Sequence, residues 1–440
     1  MIKILYIPIG VPTFELESAG RLFRESKELL NSLSDHVTAP DNILLSVEEM
    51  CGYIDGKDAD LVILQNSTFA NSAYTEKIIE KLKCHILLWT LREPVIDGGR
   101  LRLNSLTGAF SAGNKMTVEG RTFSYVFGSP NEVKDDIKAI ITAAECRAAL
   151  ASLNICQIGE TPQGFDFGEG DKDEIKKYFG SKYSFIKAEK LMDKAREISD
   201  DEAAPYLEKA EKRMKGLDLN DCHTLPFAKL YKAYSDYAGE NNIGCIASRC
   251  WPDFFTNYGT PVCAVLAMLG DDGIPAACES DVLGAISMYI GQKISGCPTF
   301  FGDPVSLDES ENTLTFWHCG TAACSLARKD TGACAGVHCN RKIGPTLDFG
   351  CRACDKVTIF RAGRDKNGKI RFFTAKGSAL DKPRQFNGTS IVVKTENSVK
   401  ELVTKAVLDG WEPHYAVIYA DAEKEINELA RMLGTEVCAY

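Results

Sequence analysis

The chain has 440 residues, 45% of them hydrophobic, more than one core can organise, so two or three domains are expected. A formal net charge of -10 with no Lys/Arg-rich run argues against a nucleic-acid backbone as partner. No apolar stretch reaches membrane-spanning length and "MIKILYIPIG" is broken by Pro8 and Gly10, so no membrane partner and a cytoplasmic location are expected. The seventeen cysteines lie scattered through apolar runs such as "VCAVLAML" and read as reduced, buried small hydrophobes rather than a disulfide framework.

In chain order, residues 2–8 form an apolar strand, and 16–33 carry Leu16, Ala19, Leu22, Phe23, Leu29 and Leu30 at helical spacing. The alternation continues with "ADLVILQN", the helical "AYTEKIIEKLK", the strand "HILLWTL", and "FSYVFGS" leading into a helix over 131–152. Strand–helix alternation predicts a parallel sheet covered on both faces. A second α/β unit starts with "LNICQIG", passes the acidic loop "ETPQGFDFGEGDKDE" and continues through helices over 186–198, 202–215 and 225–238. Beyond 312 the texture turns to short β segments, "TLTFWHCG", "KVTIFRAG", "KIRFFTAKG" and "GTSIVVKT". The Asn-Gly of "DKNGK" signals a two-residue hairpin. The expected architecture is two Rossmann-like parallel-sheet α/β domains, 1–152 and 153–310, followed by a β-rich, barrel-like domain, 311–440.

The chemistry concentrates in "GIPAACESDVLGAISMYIGQKISGCPTFFGD". Glu279 and Asp281, two residues apart where an apolar run becomes a helix, repel each other unless they share a proton or hold a cation. Of the six histidines, His318 ends a strand before a loop of small residues, and His414 precedes a buried strand. His338 adjoins Asn340 and Arg341, a polar cluster suited to sugar hydroxyls, whereas His36 and His85 read as core or edge residues. Carboxylates with imidazole suit Mn²⁺, Co²⁺ or Mg²⁺. A competing reading is a zinc knot of His338, Cys339, Cys351 and Cys354, which lacks the paired Cys-x-x-Cys of convincing zinc ribbons.

The segments "CWPDFFTNYGTPVCAVLAML", "PAACESDVLGAISMYIGQKISGCPTFFGD", "FWHCGTAACSLA" and "GWEPHYAVIYAD" resemble the L-fucose and L-arabinose isomerase superfamily. "IPIGVPTFELESAGRLF", "ILQNSTFANS" and "LLWTLREP" resemble its first domain. The resemblance implies an aldose–ketose isomerase, an intramolecular oxidoreductase working through an enediol. It implies a divalent metal, usually Mn²⁺, a sugar substrate, and a homo-oligomer, trimer or hexamer, with sites at subunit interfaces. By this likeness Asp281 and His414 are metal ligands, and His318 falls where arabinose isomerases place a further histidine. Asp281 is also the expected proton carrier. The family's upstream glutamate has no evident match, since Asp253 is the one acidic residue between Trp251 and Gly270; Asp253 or Glu279 takes its role, or the chain is an inactive sugar-binding or regulatory protein. Trp251 and Trp89 are expected to offer apolar faces to the sugar, and Arg249, Asn340 and Arg341 to meet its hydroxyls or an anionic group.

Overall fold

A computed structural model describes residues 2–440, which fall into two compact units, one up to Ala149 with Lys424–Gly434, the other Leu150–Glu423 with Thr435–Tyr440. In the first unit five strands lie in the order Val37–Thr38, Ile4–Ile9, Leu61–Asn66, His85–Thr90, Phe123–Phe127. All are parallel, with Ile4 opposite Leu61 and Leu61 opposite His85. The three central strands are buried at every position, as strands covered by helices on both faces must be. The helix Glu423–Leu433, which falls within the range 311–440 expected of the C-terminal domain, belongs instead to this unit. Its buried stripe of Ile426, Leu429 and Ala430 and the ion pair of Lys424 with Asp136 at 2.5 Å fix it there.

The second unit opens with a four-stranded parallel sheet in the order Lys182–Ile186, Asn154–Ile158, Cys245–Ser248, Ala276–Cys278. The last two strands have four and three residues, too few for a period to register in the sequence. The three expected helices are present as Ala188–Glu197, Asp200–Arg213 and Thr224–Glu240. The middle one starts on a capping box, Ser199 and Glu202 each satisfying the other's backbone N–H.

The β-rich segment closes into a barrel. Six strands pair antiparallel in a ring, Phe300–Asp308, Thr313–His318, Thr389–Thr395, Ile370–Ala379, Cys354–Arg364, Tyr415–Ile418 and back to the first. Closure leaves no edge within the ring, and Phe316, Ile359, Phe373 and Val393 join one buried core. The strand Phe300–Asp308 starts before the expected boundary at 311. The hairpin at "DKNGK" forms, with a longer turn than the Asn-Gly pair suggests. Asp365 and Lys369 close it, the Gly368 amide donates to the Asp365 carbonyl at 2.9 Å, and Gly368 rather than Asn367 takes a positive φ, 75°. That is the three-residue loop, with its glycine in the left-handed position. Among the described residues no helix is long and apolar enough to cross a membrane.

Candidate active site

The site stands where the short strand Ala276–Cys278 runs out and the barrel strands Phe300–Asp308 and Thr313–His318 meet the segment before Tyr415–Ile418. Glu279 and Ser280 both adopt left-handed backbone, φ 62° and 57°, which non-glycine residues avoid. Two tertiary bonds and one turn bond hold them in it. The Ser280 amide donates to the Ser248 carbonyl at 3.0 Å, the Asp281 amide to the Cys278 carbonyl at 3.3 Å, and the Ser280 hydroxyl to the Gly159 carbonyl at 3.1 Å. The chain thereby turns sharply from strand to helix and sends the two carboxylates different ways.

Asp281, expected to face the metal and carry the proton, turns inward and is fully buried. It caps the helix Val282–Ser295, accepting the Gly284 amide at 2.8 Å. Its oxygens also accept both terminal nitrogens of buried Arg361, at 2.5 and 3.0 Å, and Nδ1–H of His414 at 2.9 Å. Burial opposes its ionisation, but the Arg361 guanidinium and His414 outweigh that and hold its carboxyl well below the usual range. Every lone pair facing these partners is committed, so Asp281 reaches His414 and nothing beyond it.

Glu279 turns the other way, into a cavity of about 380 Å³, within the span of small-molecule sites. Its Oε2 lies 3.0 Å from His414 Nε2, and its Oε1 accepts the Trp251 indole N–H at 3.2 Å. Asp303, in the strand Phe300–Asp308, brings Oδ1 to 3.4 Å from the same His414 nitrogen. Burial raises the Asp303 carboxyl, His414 and His318 lower it, Glu279 raises it again, and the balance is upward. For His414, burial disfavours the cation, yet Asp281, Glu279 and Asp303 together lift the imidazole to about 9. Metal-ligand atoms of Glu279, His318 and His414 all lie within 4.8 Å of one another.

His318 lines the same cavity. Its Nδ1 sits 3.0 Å from the Cys319 backbone nitrogen and 3.3 Å from Cys319 Sγ. Against its burial, the Cys319 sulfur and the carboxylates of Asp303 and Glu279 raise it to about 10. Beneath lie further thiols; Cys263 Sγ is 3.6 Å from Cys319 Sγ, and all seventeen cysteines are free. Phe301 packs on His414, ring centroids 5.0 Å apart.

The remaining expected residues divide. Trp251, His338, Asn340 and Arg341 line the cavity with Glu279. Arg249 and Asp253 do not: they pair with each other and line a separate depression, Arg249 also donating to the Glu160 carbonyl at 2.8 Å. Trp89 is fully buried in the first unit, its indole donating to the Gly128 carbonyl at 2.9 Å. Cys351 packs in the barrel core and Cys354 Sγ donates to the Lys356 carbonyl at 3.1 Å, whereas a ring nitrogen of His338 lies within 4.8 Å of the Cys263 and Cys319 sulfurs. Sequence reasoning did not single out Asp303 or Arg361. Asp303 is the fourth residue of the strand Phe300–Asp308, and neither a carboxylate inside a strand nor a buried arginine inside a β segment has a local signature.

Two carboxylates and an imidazole around one cavity, at the junction of a parallel sheet and a closed barrel, define an enzyme equipped for proton transfer on a small polar substrate. The profile of the L-fucose isomerase C-terminal domain matches residues 318–440. Over its whole length the chain is 53% identical to a sulfoquinovose isomerase of Clostridium sp. (strain MSTE9), covering 99% of that protein. Sulfoquinovose isomerases of Priestia megaterium (strain ATCC 12872 / QMB1551) and Alkalicoccus urumqiensis are 37% and 36% identical, with 99% of each chain covered in both cases. The chain belongs to this family of fucose isomerase-like isomerases.

Proposed function

We propose that the chain is an aldose–ketose isomerase acting on sulfoquinovose, a glucose whose C6 hydroxyl is replaced by a sulfonate, with Glu279, Asp303 and His414 holding a divalent cation. The single observation that carries the site assignment is the convergence of Glu279 Oε2 and Asp303 Oδ1 on His414 Nε2, at 3.0 and 3.4 Å. The substrate rests on the names of the full-length relatives.

The donor set fits a hard or borderline cation. Two carboxylates and one nitrogen suit Mn²⁺, Co²⁺ or Mg²⁺, and Asp281 fixes His414 through Nδ1–H so that Nε2 is the nitrogen offered, as second-shell carboxylates do. The same carboxylates raise His414 to about 9, so a cation held at Nε2 would displace a proton. When bound, the metal lowers the cost of negative charge developing on the substrate oxygens.

The residues supply the rest. Asp303, which lines the cavity beside Glu279, carries the proton between C2 and C1 along an enediol route. Glu279 is kept in place by Trp251. His318, in the same cavity, exchanges protons with the substrate's carbonyl and hydroxyl oxygens. Trp251 and Phe165, ring centroids 5.9 Å apart, give an apolar wall that limits water.

The purified protein incubated with sulfoquinovose and Mn²⁺ in deuterated water should form the ketose with deuterium at C1, and on reversal place deuterium at C2 of the remaining sulfoquinovose. Metal analysis should find one ion per chain, lost in His414→Ala. Absence of both conversion and exchange, with sulfoquinovose and with a panel of neutral aldoses, would end this reading.

A further inference from the structure

The arginines around the cavity are not equivalent. Arg249 is tied to Asp253, Arg361 to Asp281 and Arg364 to Glu174. Arg341 has no carboxylate partner among the described residues, and it is the one Lys or Arg side chain among those lining the cavity. It is exposed, and its guanidinium lies over the Phe255 ring, 5.7 Å from the centroid.

The turn that carries it is built. The short strands Ala335–Gly336 and Thr346–Leu347 pair antiparallel, the His338 amide donates to the Ile343 carbonyl at 2.9 Å, and the Lys342 amide to the His338 carbonyl at 2.9 Å. The amides of Asn340 and Arg341 both donate to His338 Nδ1 at 3.3 Å. Asn340 and Arg341 therefore present their side chains side by side to the cavity that holds Glu279 and Asp303.

We infer that Arg341 and Asn340 form an anion subsite that receives the substrate's C6 sulfonate and sets the preference for a sulfonated over a neutral aldose. The inference rests on the reaction proposed above for the neighbouring carboxylates. A sulfonate is permanently negative and is repelled by the acidic groups at the reacting end, so its entry needs a compensating charge. A guanidinium offers two parallel N–H donors to two of its three oxygens, and the Asn340 amide offers a donor for the third. Phe255 restricts the guanidinium before the ligand arrives, which lowers the ordering cost on binding.

Arg341→Met and Arg341→Lys decide it, with sulfoquinovose and its uncharged counterpart 6-deoxyglucose compared on each. Arg341→Met should lose about 10–100-fold in kcat/KM for sulfoquinovose, the worth of a charge-assisted hydrogen-bonded pair, and change less than about threefold on 6-deoxyglucose, a margin too small for a lost pair. Arg341→Lys, keeping the charge without the fork, should fall between. Calorimetry with the non-isomerisable alditols separates the subsite from the reaction: the wild type should bind 6-deoxy-6-sulfoglucitol more tightly than 6-deoxyglucitol, and Arg341→Met should not. Conversion of sulfoquinovose with no loss in Arg341→Met, or equal losses on both sugars, overturns the subsite and leaves the isomerase reading standing. No conversion in the wild type, with the alditol preference intact and abolished by Arg341→Met, does the reverse.

Discussion

At the scale of single residues, the site turns on which of three carboxylates does which job. Asp281 and Glu279 are two positions apart, yet one is sealed behind His414 and the other faces the cavity with Asp303. Asp281→Asn keeps the shape but leaves Arg361 without its full counter-charge, and breaking such a buried pair costs about 3–5 kcal/mol when one partner is removed outright. The variant should unfold at lower temperature and bind Mn²⁺ about 10–100-fold more weakly, as loss of a ligand-orienting partner does. At saturating Mn²⁺ it should still exchange the C2 proton. Asp303→Asn, under the same conditions, should lose about 10²–10⁴-fold in exchange, the usual worth of a positioned proton carrier. If the losses fall the other way round, with both proteins folded, the roles assigned to Asp281 and Asp303 must be exchanged.

At the scale of elements, function shows in a strand-to-helix turn that ordinary folding rules disfavour. A left-handed backbone costs a non-glycine residue about 1–2 kcal/mol, and Glu279 and Ser280 both adopt it. The turn separates Glu279 from Asp281 by facing them apart, which a regular extension of the strand, with i and i+2 on one face, cannot do. Gly284 extends the same constraint: a Cβ there would lie 2.4 Å from the Phe301 ring and 2.7 Å from Asp281 Oδ2, so the helix start, the cap and the ring against His414 are packed as one piece. Glu279→Gly should therefore abolish isomerisation while unfolding at the same temperature or higher, the expected trade where strain serves activity. A variant that is both inactive and clearly less stable would show that Glu279 is there for its ion pair with His414 and that its backbone is not strained. This turn also marks where the sequence stopped being legible. Long amphipathic helices such as Leu16–Leu33 announced themselves by period and the buried strands by unbroken apolar runs, and the β texture after 312 foretold a barrel. The acidic pair was visible, but its division between core and cavity depends on two φ angles and on Arg361, which lies 80 positions from Asp281 and leaves no local trace. Asp303, in "TFFGD", could be placed beside His414 only once its strand was known to pair with Tyr415–Ile418.

At the scale of the whole molecule, the two units differ in what their buried histidines do, and that difference predicts how stability follows pH. In the second unit His414 and His318 are raised by the carboxylates and sulfur around them. In the first, His85 begins the strand His85–Thr90 and is 5% exposed, its Nε2 2.8 Å from the Ser124 hydroxyl, which in turn bonds Glu428. Burial, followed by Arg147, Arg431 and Arg121, pushes it down to about 4. A group whose folded value lies below its unfolded one binds more protons when unfolded, so it stabilises above the unfolded value, near 6.5, and that contribution is lost as pH falls toward 4. Between pH 7 and 5 the loss from His85 alone should be about 2 kcal/mol. Glu428, which faces His85 through Ser124, is the one carboxylate on that hydrogen-bond path, and the three arginines keep their charge throughout this window. Thermal unfolding of the full chain at the two pH values, beside His85→Gln, isolates the term: the wild type should lose about 2 kcal/mol more over the interval than the variant, because glutamine can hold the Ser124 hydroxyl but has no proton to gain. Equal losses in the two proteins would mean that His85 accepts its proton in place, with the Ser124–Glu428 pair compensating the charge, and that the first unit's acid sensitivity lies in its surface carboxylates.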